Sequence, residues 1–479
     1  MEILKTSPYL QIVHRTDGYA IFHSLFGRLS HIDSEIKDLL DTLKNPSSID
    51  EILHLYTDYD RNELIALVDK LKALSFLVPE CSDESTAVQD DMRFRELCIS
   101  SGYLVRALQL IISNLCNFGC KFCFFKDHNS ASRMKLAGRE ENNQMSFDTA
   151  ALAIRNLLDL LRKHGTQTLA VEFFGGEPLM NWPVIRAVLE EFGHNEKSGP
   201  PYIDYSITTN GRAITPEMAA IFKKYDVTVT VSYNFPPHLT EAEQKNYPNY
   251  QRVMESLETL KSTGNALTFN TVLSVDALNY FDSKAYVDFC KQYNVQMIGL
   301  ILDLNLDFYA DSRNSNNAMD TIMQTYTYAK QSGIPVVGYW HEPFAQIAGQ
   351  QALNFDSGFK CCPGEGCKLS VEPEGQVFVC KGCSETIGDI TDLEKVFSNP
   401  KYKEYAFHAY RNAPACKGCM IENFCSTGCM GAIERHYKTI NAVDERWCGV
   451  FRELTIRLIN QMELKEFASN RFKFPKKIR

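Results

Sequence analysis

Nowhere in the 479 residues does an apolar run reach the roughly 18 residues that a membrane-spanning helix needs, although 44% of the chain is hydrophobic. The opening Met1-Glu-Ile-Leu-Lys also lacks the apolar core of a signal peptide. No membrane partner is expected, and the expected location is cytoplasmic. Positive charge is scarce at the start of the chain, where residues 1–90 carry 8 Lys+Arg against 16 Asp+Glu, a net of −8. Phosphate would be repelled there, so no nucleic-acid partner is expected. Cysteine, in contrast, is abundant, with 16 in all. A reducing compartment disfavours disulfides, so most of these thiols are expected to bind metal. Their distribution agrees, since three fall at 116–123 and ten between Cys361 and Cys448. Only Cys81, Cys98 and Cys290 are isolated, and they read as small buried hydrophobes.

The first cluster is Leu115-Cys-Asn-Phe-Gly-Cys-Lys-Phe-Cys-Phe124, directly after an apolar, strand-like run. Three closely spaced thiolates can hold three irons of a four-iron cube and leave the fourth iron open to bind a small molecule. A zinc knuckle is the competing reading of such spacing. A second motif, Val171-Glu-Phe-Phe-Gly-Gly-Glu-Pro178, ends another strand. Its glycines allow close backbone approach, and a carboxylate or free carbonyl beside them can accept bonds from an ammonium group. Taken together, C-x3-C-x2-C with the aromatic Phe122 before its last Cys, followed by Gly175-Gly176-Glu177-Pro178, resembles the signature of the radical SAM superfamily. The resemblance implies that Cys116, Cys120 and Cys123 ligate a 4Fe–4S cluster whose open iron chelates S-adenosylmethionine. It also implies reductive cleavage to a 5'-deoxyadenosyl radical, hydrogen abstraction from an unreactive C–H bond, and an external electron donor such as flavodoxin or ferredoxin. Phe122, Gly175, Gly176 and Glu177 would then lie beside the cofactor.

Apolar, β-branched segments at about 105–112, 168–174, 202–208, 227–232, 267–273 and 296–302 alternate with helical patterns at about 146–163, 182–193, 215–224, 248–263, 282–292 and 317–331. Such alternation predicts an α/β fold, a parallel sheet with crossover helices. Six units suit the partial (β/α)6 barrel of the superfamily, with ligands at the carboxyl ends of the strands. The same position rule adds Thr209, Asn210 and Gly211 after the third strand, Ser232 after the fourth and Asn270 in the fifth. Turn chemistry and ordinary strand polarity are the alternative readings of these five. Where many relatives carry Ser-x-Asp-Gly after the fourth strand, this chain has Ser232-Tyr-Asn-Phe-Pro236, so contacts of that acid do not carry over.

A second constellation, Cys416-x2-Cys419-x5-Cys425-x3-Cys429-x18-Cys448, follows Gly375-x4-Cys380 and a predicted hairpin over 369–379. It resembles the Cys-rich SPASM extension of radical SAM peptide-modifying enzymes, which implies two auxiliary clusters and three 4Fe–4S clusters in all. By that pattern Cys416, Cys419, Cys425 and Cys448 ligate the distal cluster. Cys380 and Cys429 ligate the proximal one with ligands from Cys361, Cys362 and Cys367, and Cys383 is a further candidate. A zinc ribbon from Cys380/Cys383 and Cys416/Cys419 would strand Cys425, Cys429 and Cys448.

Ahead of the barrel, strand-like runs at about 9–14, 19–23 and 27–31 precede helical patterns at about 34–43, 49–57 and 60–74. Their order predicts a winged-helix-like domain, which resembles the recognition element that binds the leader of a precursor peptide by strand addition. The expected domains are 1–90 for recognition, 91–340 for the radical SAM barrel and 341–479 for the SPASM unit. The acidic stretch 80–91 reads as a linker and the basic end 471–479 as a solvated tail. The resemblance implies a maturase of a ribosomally made, leader-bearing peptide, with a thioether or other side-chain crosslink as the expected product. A sulfatase-maturating, formylglycine-forming enzyme is the alternative reaction. A non-catalytic, zinc-stabilised peptide-binding scaffold is the alternative of another class. No catalytic acid or base is identifiable in the sequence.

Overall fold

The structure is a computed structural model and describes residues 2–124, 144–349, 363–408, 414–425, 427–467 and 470–477. Its first unit contains β1 (Ile3–Thr6), β2 (Leu10–Arg15), β3 (Gly18–His23), β4 (Gly27–Ile32), β5 (Ser47–Ser48) and β6 (Leu77–Pro79). The middle three form an antiparallel meander, and β1 pairs with β5 and β6 in a separate small sheet. Helices Ser34–Thr42, Ile49–Leu55 and Arg61–Ala73 follow the expected pattern, started by the side chains of Asp33, Ser48 and Asp60 as N-caps. Ile21, Ile36, Leu40, Val68, Leu71 and Phe76 belong to a core separate from that of the barrel.

Two expectations at the ends of this unit are corrected. The acidic stretch is helical from Ser85, in a helix that runs to Ser100. Asp83 takes the Ser85 N–H at 3.0 Å, and Asp91 pairs with Arg95 one turn on, so local charge supports a helix rather than a linker. The basic end is no free tail either, because Phe474 is buried in the first unit's core. Alternating aromatic and basic residues give that segment a strand-like apolar face.

The third sheet has ten strands: β7 (Ala107–Ser113), β8 (Thr168–Gly175), β9 (Tyr202–Thr209), β10 (Thr228–Ser232), β11 (Leu267–Leu273), β12 (Met297–Leu302), β13 (Val336–Val337), β14 (Lys368–Val371), β15 (Gln376–Phe378) and β16 (Gly388–Asp389). Their spatial order is 13-12-11-10-9-8-7-14-15-16, and β7 to β13 all run parallel. The sheet is an open, partial barrel, and each of the six expected strands is present. Period-two alternation sets its two faces. On β8, Leu169, Val171 and Phe173 are buried in the outer core, whereas Ala170, Glu172 and Phe174 are only half-buried on the inner face. The cysteine-rich region extends the same sheet, since β14 pairs in parallel with β7 and the expected hairpin continues into β15.

Candidate functional site

The cysteine loop leaves the carboxyl end of β7, and the double glycine at the end of β8 clamps it. Gly176 N–H donates to Ser113 O at 2.7 Å and Glu177 N–H to Leu115 O at 2.8 Å. A Cβ on Gly175 would come within 2.1 Å of Ser113 O, and one on Gly176 within 2.5 Å of Leu115 O. Glycine is thus required twice, because backbone meets backbone here. Glu177 is buried and turned inward. Its carboxylate accepts the Thr209 hydroxyl at 2.7 Å, Asn210 N–H at 2.8 Å and Leu179 N–H at 3.1 Å. Burial pushes this carboxyl up, against those three donors. Asn210 in turn donates its side-chain amide to Asn117, inside the cysteine loop, at 2.8 Å. Glu177, Thr209 and Asn210 therefore tie the ends of β8 and β9 to the loop that carries the thiols.

Within that loop, the Cys116 sulfur accepts the Phe118 N–H at 3.4 Å. Cys116 is exposed, while Cys120 and Cys123 are half-buried. Among the described residues no three Cys, His, Asp or Glu side chains converge tightly enough for a single metal ion. A four-iron cube takes its thiolates at wider separations than one ion does, so placement on a common loop is the relevant fit.

The inner face of the sheet is polar. Gln109 donates to Glu172 at 2.7 Å, Lys368 donates to the same carboxylate at 3.0 Å, and Thr208 does so at 3.3 Å. Lys381 lies over the Phe174 ring on this face. Burial alone would raise the Glu172 carboxyl, but Lys368 and Lys381 outweigh it and hold it at about 2. Burial brings the Lys381 ammonium down to about 8, against the pull of Glu172 and Cys380. Ser232 and Asn270 are register partners on β10 and β11. Asn270 leans over Gly299, where a Cβ would meet its amide oxygen at 2.0 Å. Asn234, which follows β10, accepts Val272 N–H at 2.9 Å and so pins two strands together.

A cavity of about 590 Å³ opens at the strand ends, between Phe122 and Cys123 of the cysteine loop, Asp303 after β12, and Ala432 and Arg435 on helix Met430–Tyr437. Asp303 is buried, accepts Asn305 N–H at 2.9 Å, and has its carboxyl raised by burial against that N–H and Arg435. Sequence reasoning missed Asp303, Glu172, Lys368 and Lys381. The position after a strand would have flagged Asp303, and the inner-face phase of β8 would have flagged Glu172.

The carboxyl-terminal thiols fall into two neighbourhoods. Cys383 hydrogen-bonds to Cys380 and lowers its thiol, against burial and with help from Gly382 N–H, Lys381 and Lys368. Cys429 is raised by burial and then by Cys380, so it belongs with them. Cys448 is raised to about 11 by burial and then by Cys416, with Cys419 contributing. Cys425 sits one turn on, its N–H bonded to Ile421 O at 3.1 Å. Cys367 is buried beside Glu365, its thiol donating to that carbonyl at 3.7 Å. Cys361 and Cys362 lie outside the described residues.

Residues 110–274 match the family model for the Radical SAM superfamily. The protein belongs to that superfamily, whose members use S-adenosylmethionine and a 4Fe–4S cluster. It is 34% identical over 460 residues, 96% of each chain, to the radical SAM cyclopropyl synthase TigE of Paramaledivibacter caminithermalis. A cysteine-type anaerobic sulfatase-maturating enzyme of Clostridium novyi is 20% identical over 384 residues, 75% of this chain and 97% of that one. Native anSMEcpe with bound AdoMet superposes with a TM-score of 0.58 at 17% identity, covering 74% of this chain and 100% of its own. Streptococcus suis SuiB bound to S-adenosylmethionine does so at 0.50 and 15%, covering 92% and 99%. At these identities the two solved structures speak to fold. Among the described residues no helix is long and apolar enough to cross a membrane.

Proposed function

We propose that the protein is a maturase of a ribosomally made precursor peptide that closes a cyclopropane ring within a side chain. The carrying observation is a cavity walled by both the cysteine loop and the helix after Cys429, which lets one substrate face both thiol-rich regions. Similarity over 96% of the chain to a cyclopropyl synthase supports a cyclopropane in preference to the thioether crosslink expected from sequence. Cys116, Cys120 and Cys123 would hold the cluster that binds S-adenosylmethionine. Cys380, Cys383 and Cys429, with Cys362 or Cys367, would hold one auxiliary cluster, and Cys416, Cys419, Cys425 and Cys448 the other. When bound, these groups would supply a hydrogen-atom acceptor, whose formation takes an electron from a donor such as flavodoxin or ferredoxin, and acceptors for the electron released on ring closure.

Ring closure in a saturated side chain removes two hydrogens, one as an atom and one as a proton with its electron left behind. Asp303 would take the proton, since it is a buried carboxyl on the cavity wall. Glu177 would hold the ends of β8 and β9 in register with the cysteine loop, and residues 1–90 would bind the leader.

Mass spectrometry of a co-expressed precursor tests the reading. A product two hydrogens lighter, with its cysteines still open to alkylation, is expected. Blocked thiols would indicate thioether formation, and a hydrazine-reactive aldehyde would indicate formylglycine. Either outcome overturns the cyclopropane assignment.

A further inference from the structure

The outer edge of β4 is already paired, and its partner is the chain's own segment 470–477. His31 N–H donates to Asn470 O and Phe472 N–H to His31 O, both at 2.8 Å, giving a parallel bridge of His31 with Arg471. The Asn470 amide donates to Leu29 O at 3.2 Å, and Phe474 N–H donates to the Asp33 carboxylate at 2.7 Å. Arg471 and Lys473 face solvent while Phe472 is half-buried and Phe474 buried, the alternation of an added strand. The Phe474 ring lies 5.1 Å from that of Tyr56 and 4.9 Å from that of Tyr59. Lys477 sits over Tyr59 at 5.6 Å, with Asp58 3.9 Å away.

The opposite edge, β2, holds no added segment among the described residues. It lies against helix Glu445–Gln461, onto whose end Arg15 donates at Ile459 O and Met462 O. The edges of the other small sheet, β5 and β6, are two and three residues long. β4 is thus the edge that demonstrably accepts an extended segment, in a unit with a strong excess of acid.

Resting on the maturase reading, in which residues 1–90 bind the leader, we propose that segment 470–477 is an autoinhibitory occupant of the outer edge of β4, seated against Tyr56 and Tyr59, and competes there with an added peptide strand. A leader adding a strand there must displace that segment. The occupant's chemistry specifies the partner: an extended segment with two aromatic side chains two residues apart, alternating with basic residues. Partner-free enzyme therefore covers its own sheet edge, which also protects it from pairing with a second copy.

The probe is the synthetic octapeptide Asn-Arg-Phe-Lys-Phe-Pro-Lys-Lys, copied from residues 470–477, carrying a fluorophore and assayed by anisotropy. The full chain bearing Phe472→Ser and Phe474→Ser should bind it about ten-fold or more tighter than the unaltered chain, because an intramolecular competitor is removed. A probe with both Phe replaced by Ser should not bind. Equal affinity for variant and unaltered chain, or no binding to a variant whose N-terminal amides exchange at native rates, overturns the proposal. Should the variant misfold, hydrogen exchange in the unaltered chain decides. Excess nitrogen-15 probe should speed exchange of the chain's own Phe472 and Phe474 amides, and unchanged rates at millimolar probe overturn the proposal. These assays read docking alone, so their failure is distinct from failure of the maturase reading, which is judged by peptide modification.

Discussion

Asp303 and Glu177 are both buried carboxyls near strand ends, yet their surroundings give them opposite tasks. Glu177 faces three donors and is a structural acceptor. Asp303 has one backbone donor and opens onto the cavity, which leaves it capacity to take a proton. Asp303→Asn should therefore slow peptide modification by about 10²–10⁴-fold while S-adenosylmethionine cleavage continues. Because burial raises this carboxyl above 3.8, the acid that blocks proton uptake should act at higher pH than for an ordinary Asp. The ratio of modified peptide to 5'-deoxyadenosine should fall as pH drops through that raised value, and Asp303→Asn should show no such fall. Glu177→Ala should act differently, leaving the Thr209 hydroxyl and two N–H groups unpaired at a cost of about 1–3 kcal/mol each. Thermal denaturation and cofactor cleavage should both suffer, in contrast to Asp303→Asn. Glu177 was legible in the sequence because it sits in a motif with two glycines. Asp303 sits in Leu302-Asp-Leu-Asn305, which has no signature, so only its place after a strand betrays it.

At the scale of elements, glycine controls how closely the thiol-bearing segments approach. Gly382, inside the Cys380–Cys383 turn, presses on Gly431 at the start of helix Met430–Tyr437, where a Cβ would meet Gly382 O at 2.5 Å. Both partners at that contact are backbone, so neither can yield cheaply. Gly431→Ala should push Cys429 away from Cys380 and, if the protein holds the three equal clusters proposed, lower iron by roughly one third. Iron analysis after reconstitution checks this, with S-adenosylmethionine cleavage retained. The strands and helices themselves were readable because apolar residues repeat at two or at three to four positions. The partnership of β14 with β7 was not, since it joins residues such as Leu108 and Leu369 whose apolar character does not name a partner. The helix over Ser85–Ser100 escaped for another reason. Its acidic start resembles a linker in composition, and the pairings of Asp90 with Arg93 and of Asp91 with Arg95 supply the helical period.

Across the whole molecule, the most distant parts of the sequence are joined by backbone acceptors as well as by apolar packing, in which Val13 and Phe22 share a core with Leu458 and Ile459. Asn423, between Cys419 and Cys425, donates its N–H to Ser24 O at 3.1 Å and its side-chain amide to Leu25 O at 2.9 Å. The turn between β3 and β4 is thereby held by the loop that the distal thiols enclose. Cys416 and Cys419 share one tight turn, whereas Cys448 returns from the start of helix Glu445–Gln461, so metal held by all of them would close a long loop. If Cys448 is a ligand, Cys448→Ala should release that closure and the position of Asn423 with it. Hydrogen exchange at Leu25 and Gly27 should then speed up by about ten-fold or more, because local opening there no longer works against a metal-bound loop. Cys290→Ala provides the control. Cys290 is fully buried beneath the barrel, far in sequence from either cluster of cysteines, so its loss should lower stability by a small cavity cost without moving iron content or exchange at that turn. Equal iron content and equal exchange in the two variants would remove Cys448 from the ligand set, and would leave Asn423 as a packing contact independent of metal.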